Sequence, residues 1–178
     1  MRALIAILVC TTVPSLMAQD PARGEYRIQA VKDPILKYTP VALVSATPSG
    51  NILALDNSGN ILNSNGKAWQ KLGGNLVQVS AGSDTEVWGV NANHAVFKWT
   101  GTTWQAMPGS LKQVAVAKGG GLVMGIEWAA PNRIVRWDAA TNNWIALVGT
   151  PLLVQIAVGS PNHVFGVTAT GEMYKLKR

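Results

Sequence analysis

The chain has 178 residues, 48% of them apolar, with seven tryptophans, one cysteine and 15 Lys and Arg against 9 Asp and Glu, a formal net charge of +6. That length supports one buried core. The basic residues are scattered and form no run, which argues for an ordinary solvated surface over a nucleic-acid or membrane patch.

At the N-terminus, Met1-Arg2 leads into an uncharged apolar run from Ala3 to Cys10, then Pro14 and the small-residue approach Ser15-Leu16-Met17-Ala18. This predicts a secretory signal peptide over 1–18, cut after Ala18 or a residue or two away. A retained anchor is the competing reading, but the run is shorter than the roughly 20 apolar residues of a span and is broken by Thr11, Thr12 and Pro14. Cleavage removes Arg2 and Cys10, leaving 14 basic against 9 acidic residues, a net of +5. Disulfides, thiolate catalysis and cysteine-ligated metal are then excluded from the mature chain. Residues 19–33 form a lead-in, within which Glu25–Val31 is either an extra edge strand or simply connecting chain.

From Pro34 onward the sequence repeats with a period of about 35 residues, in copies spanning about 34–68, 69–103, 104–143 and 144–178. Trp69, Trp104 and Trp144 open three copies, and Pro34 stands in that place in the first. Val44-Ser45-Ala46 pairs with Val79-Ser80-Ala81, and the run from Gln155 to Ser160 copies Gln78 to Ser83. Val164-Phe165-Gly166-Val167 copies Val87-Trp88-Gly89-Val90, and the third copy carries a few inserted residues in its turns. Each copy contains short apolar runs separated by Gly, Asn, Asp, Ser and Pro, which predicts strands and tight turns. In the second copy these runs are Trp69–Leu72, Leu76–Ala81, Glu86–Asn91 and Ala95–Trp99.

The expected fold class is therefore all-β, a β-propeller of four short four-stranded blades. One strand per copy is built from small residues, as in Ser45-Ala46, Ser80-Ala81-Gly82, Ala115-Val116-Ala117 and Ala157-Val158-Gly159. It is expected to be innermost, where strands converge on the axis. The Trp segment opening each copy then becomes the outermost strand of the blade before it, and the last blade lacks one. Pro34-Ile35-Leu36-Lys37 is expected to fill that slot and close the ring.

The segments Val77 to Asp84, Val87-Trp88-Gly89-Val90-Asn91 and Ala95 to Trp99, followed by Trp104, resemble the tectonin repeat. The likeness extends over about Pro34–Arg178, strongest in the second copy and weakest in the first. It implies a β-propeller, and it implies lectin-like recognition of bacterial or methylated glycans as in several secreted members; others are interaction modules. Tectonin rings usually have about six blades, within the range propellers adopt, whereas four copies are visible here. An open partial ring and an assembly of several chains are the alternatives to one small ring.

Sugar sites combine aromatic faces with amides and carboxylates. Most tryptophans recur in register and are expected to pack blade against blade. Trp128 does not recur: it lies in the expanded hairpin turn of the third copy beside Glu127 and Asn132, and is the leading ligand-binding candidate. Asn91, Asn93, Asp56, Asn57 and Asp138 are secondary candidates whose turn-forming role is the alternative. His94 and His163 fall in different turns with no repeated metal spacing, and Gly119-Gly120-Gly121 lacks the strand–loop–helix setting and Lys-Ser/Thr of a phosphate loop. No catalytic residue, metal site or cofactor is expected. The expected function is non-covalent recognition of glycans or glycoconjugates on a cell surface by a secreted or periplasmic chain. The alternative is an envelope or extracellular module with protein partners. Neither nucleic-acid binding nor a mature transmembrane segment is expected.

Overall fold

Short runs rich in Val, Ile, Trp and Phe between turn residues favour antiparallel meanders, and these are what form. The computed structural model describes residue 35, residues 40–65 and residues 67–177. The strands are β1 (Val41–Ala46), β2 (Ile52–Asp56), β3 (Asn60–Ser64), β4 (Trp69–Asn75), β5 (Gln78–Ala81), β6 (Val87–Val90) and β7 (Ala95–Trp99). They continue with β8 (Trp104–Val116), β9 (Val123–Glu127), β10 (Ile134–Asp138), β11 (Asn143–Ala146), β12 (Leu153–Ser160), β13 (His163–Thr168) and β14 (Met173–Leu176). All are antiparallel to their neighbours in three sheets, ordered β1-β2-β3-β4, β5 through β11, and β12-β13-β14.

The seven-stranded sheet is two meanders sharing one long strand. β8 pairs with β7 through Trp104–Ser110 and with β9 through Leu111–Val116. It bends at Gly109, whose φ of 96° lies in the left-handed region that only glycine enters cheaply. Four successive meanders result, in register with the four sequence copies. In the first two the Trp segments that open the next copy, β4 and the first half of β8, are the outermost strands; in the third it is β11. The last meander has three strands among the described residues.

The small-residue strands come first in each meander and face one another, as expected of inner strands. Ser45 Oγ accepts from Ala81 N at 3.0 Å, and Ser80 Oγ accepts from Val116 N at the same distance. Gln78 makes a two-point clamp on the following meander: its side-chain nitrogen donates to Val114 O at 2.8 Å and its oxygen accepts from Val114 N at 3.0 Å. Gln113 clamps Ile156 in the same way, at 2.9 and 2.8 Å. Just past the ends of these strands Lys118 Nζ donates to Ala46 O, linking the third meander to the first.

Three hydrophobic cores lie between consecutive meanders. The first gathers Leu53, Leu55, Ile61, Leu76, Val79 and Val87; the second Trp88, Val90, Val96, Leu111, Val114 and Val135; the third Met124, Ile126, Ile134, Leu153, Ile156 and Val164. Two of the three opening tryptophans, Trp104 and Trp144, pack between units as expected. Trp104 lies against Gly74, and Trp144 lies against Gly109 and donates from Nε1 to Pro108 O at 2.8 Å. Close approach to each outer strand requires the missing Cβ. Trp88, Trp137 and Trp144 form a cluster with centroids 5.2 to 5.7 Å apart.

The sheets are not closed into a ring among the described residues: the outward faces of the first and last meanders are exposed at Val44 and Met173. The expected closing strand, 34–37, lies outside the described residues except for Ile35, which sits in a turn. The signal peptide and lead-in, 1–33, lie outside them entirely.

Candidate functional site

In an antiparallel meander, alternate turns emerge at opposite ends of the strands. The β2–β3, β6–β7 and β9–β10 turns therefore share one rim, and the first-to-second and third-to-fourth strand turns share the other.

Most sequence-predicted candidates stand on the first rim, where the structure gives them turn-building contacts. Asp56 accepts from Ser58 N, Asn60 N and Asn60 Nδ2, all within 2.8 Å; the Asn60 amide is the main reason its carboxyl is held below the ordinary 3.8. Asn57 donates its backbone N–H to Pro40 O. Asn91 accepts from Asn93 N and Ala95 N, each at 3.0 Å, the Asx geometry that folds the chain back. Asn132 adopts φ 61° and donates from Nδ2 to Trp128 O and Glu127 O, while Glu127 pairs in a two-pronged manner with Arg133, at 2.6 and 2.9 Å. That carboxylate raises the Arg133 pKa. Asp138 sits on the other rim, accepting from Thr141 Oγ1 at 2.6 Å, which lowers its pKa.

Trp128 is half-exposed, at 50%. Its ring stacks on His94 of the preceding meander, centroids 3.5 Å apart and planes 13° from parallel, with Lys112 Nζ 5.5 Å from its centroid. The structure thus brings together Trp128, Glu127 and Asn132 in one hairpin, adds His94 from the neighbouring turn, and leaves Asp56, Asn57 and Asp138 in separate turns. His163 Nδ1 lies 2.8 Å from Ser160 Oγ, and the three glycines 119–121 form a turn between two strands.

The opposite rim carries what the sequence reading missed. Between the first and second meanders opens a cleft of about 230 Å³ bordered by Asn51, Leu53, Asn63, Gln70, Leu72, Asp84 and Trp99. Repeat register explains it. In the second meander the places of Asn51, Leu53 and Asn63 are taken by Glu86, Trp88 and Lys98. Those three lock together: Lys98 Nζ reaches Glu86 Oε1 at 2.6 Å, Trp88 Nε1 donates to Glu86 Oε2 at 3.0 Å, and the lysine lies 5.6 Å from the Trp88 centroid. This plug fills the second junction. Smaller, neutral side chains leave the first junction open.

Asp84 is the clip of this cleft. Ser49 Oγ donates to both its oxygens at 2.6 and 2.7 Å, and Thr47 Oγ1 donates at 2.6 Å. Ser49 first, then Thr47 and Asn51, hold its carboxyl below the ordinary 3.8. The amide of Gln70 is exposed and has no hydrogen-bond partner among the described residues; Asn63 makes only a 3.5 Å contact to Ile52 O. Trp99 packs on Trp104 at 5.1 Å, so its orientation is fixed. The corresponding third junction holds a larger opening of about 420 Å³ lined by Leu122, Met124, Leu147, Val164 and Leu176, with Arg136 and Lys177 at its margin.

Repeat register, the three junctions and the meander order agree with a family comparison in which the Tectonin domain matches residues 40–178. The chain belongs to the tectonin family. Over 50 residues it is 40% identical to Tectonin-1 of Physarum polycephalum, a stretch covering 28% of this chain and 23% of that protein. Among solved structures it is similar to YCF48 from Cyanidioschyzon merolae, with a TM-score of 0.54 and 15% identity over 78% of this chain and 54% of the other. A second, YCF48 bound to a D1 peptide, gives 0.56 and 18% over 79% and 52%. The matched parts of this tectonin chain thus cover about half of these structures and about a quarter of Tectonin-1. At such identity the structural likeness carries the fold, an all-β arrangement of propeller type.

The signal for the tectonin cleft was present as a departure from the repeat. Lys98, Arg136 and Lys175 share one position, and only the first copy carries a neutral residue there, Asn63.

Proposed function

We propose that this tectonin chain is an exported recognition module that binds carbohydrate without turnover, in the cleft between its first and second meanders. The observation that supports this is the pairing of open amides, at Asn63 and Gln70, with a fixed apolar wall from Trp99 and Leu72 around one opening. Amides both donate and accept, matching vicinal hydroxyls, and an indole suits the C–H face of a pyranose. The predicted signal peptide agrees with a role outside the cytoplasm, in the periplasm or the medium. The half-exposed Trp128 hairpin, on the opposite rim, is the second candidate contact.

A glycan array on the mature chain, run beside a Leu53→Trp, Asn51→Glu, Asn63→Lys variant that rebuilds the second-junction plug, tests this. Selective glycan signals that fall at least tenfold in the plugged variant are expected. An array that is silent for the native chain would refute carbohydrate as the ligand.

A protein ligand is the second reading, favoured by the third-junction opening. Its apolar lining beside Arg136 and Lys177 suits an apolar side chain next to a carboxylate, and a solved structure of similar fold holds a peptide.

A further inference from the structure

We infer that the open face of the last meander docks onto the open face of the first meander of a second copy, so that two arcs close one ring. Glutamine occurs at the same position of the second, third and fourth inner strands, as Gln78, Gln113 and Gln155. The first two each grip both backbone polar groups of one residue in the following meander, Val114 and Ile156. Gln155 is exposed and has no hydrogen-bond partner among the described residues. Among the described residues no following meander meets this clamp.

The residue it would grip is identified by register. Val114 pairs across its hairpin with Gly125, and Ile156 with Gly166. At the same place in the first meander Val44 pairs with Ala54, on a strand whose other edge has no strand partner among the described residues. Val44 is 66% exposed, whereas its counterpart Val79 is 3% exposed against the preceding meander. The rest of the donor face repeats the pattern. Phe165 and Met173, 38% and 75% exposed, stand where the second meander has Trp88 and Val96, both at 0% beneath the third. Lys175 Nζ lies 5.8 Å from the Phe165 centroid, as Lys98 lies 5.6 Å from Trp88. A shallow depression of about 200 Å³ runs between Gln155, Phe165 and Met173. The last meander therefore repeats the clamp and the second- and third-strand part of a junction surface.

A second copy, not the chain's own first meander, is the occupant. Both faces are exposed at once within one chain, and the cores found between consecutive meanders have no counterpart between the last and the first among the described residues. The matched part of this chain covers 54% and 52% of two solved structures of similar fold, so one copy accounts for about half of an assembly of that size. A donor face at one end and an acceptor face at the other join head to tail, and two such contacts close with twofold symmetry.

Light scattering of the mature chain tests this directly, beside Gln155→Ala and Val44→Arg. Twice the chain mass is expected for the native protein. Gln155→Ala is expected to raise the dissociation constant roughly tenfold or more through two lost hydrogen bonds per junction, and Val44→Arg to give monomers; circular dichroism confirms that each variant is folded. Mixing mature Val44→Cys chains with mature Gln155→Cys chains, each then carrying a single thiol, should yield a covalent pair under a short thiol cross-linker. A monomeric native mass at all concentrations, linkage within one chain when both cysteines share it, or growth into open polymers would each overturn the proposal.

Discussion

Three carboxylates, Asp56, Asp84 and Asp138, are held below the ordinary 3.8 by neighbouring donors, chiefly Asn60, Ser49 and Thr141. A group whose folded-state pKa is depressed contributes stability that is present above the unfolded value and is lost as pH falls through the folded one. The melting temperature should therefore hold level down to about pH 4 and then drop. Asp84→Asn should flatten part of that drop, and a melt series between pH 6 and 2 reads it; an unchanged acid limb would show that the clip contributes nothing. Trp88 is the other decisive residue, fully buried within a tryptophan cluster and tied to Glu86. Trp88→Ala should cost about 3–5 kcal/mol in denaturant unfolding. At Trp128 the stack on His94 makes a stability role measurable as well: Trp128→Ala should lose about 0.5–1.5 kcal/mol, while the cleft on the opposite rim keeps its sugar affinity.

Each meander after the first carries a glycine in its second strand facing a leucine of the chain that enters it: Gly89 and Leu76, Gly125 and Leu111, Gly166 and Leu153. A Cβ on Gly89 or Gly125 would come within 2.5 or 2.6 Å of the leucine Cδ1. In the first meander the pair is Ala54 and Val41, a larger residue at the glycine position and a smaller one at the leucine position. Gly125→Ala should therefore destabilise by about 1–3 kcal/mol, and adding Leu111→Val should recover part of that loss in the same unfolding assay. If the second change only adds to the first, the pairing argument fails. Strands were legible because short apolar runs between turn residues have few alternatives, and the small-residue run marked the strand that opens each meander and meets its counterpart in the next. The fusion of two meanders through β8 was not legible: Pro108 and Gly109 lie at the bend, and a bent continuous strand has the same composition as two strands with a turn.

At the scale of the whole molecule, periodicity revealed how many copies follow one another but not how far each rotates against the last, because that angle is set by side-chain volumes at every junction. The same limit hid the cleft. Sequence reasoning weighed the aromatics that are present, such as Trp128, whereas the first-junction opening arises where Leu53 and Asn63 are smaller than Trp88 and Lys98. Three junctions built on one plan thus have three chemistries: amide-rich and open, plugged, and apolar with a cationic margin. Recognition is proposed for the first of these. The indole N–H resonances of the tryptophans, followed by nitrogen-15 NMR while the best-binding glycan of an array is added, test that assignment most directly. The Trp99 signal should shift progressively while those of Trp88 and Trp144 stay in place. A Trp99 signal that does not move while Trp128 shifts would place recognition on the other rim and contradict it.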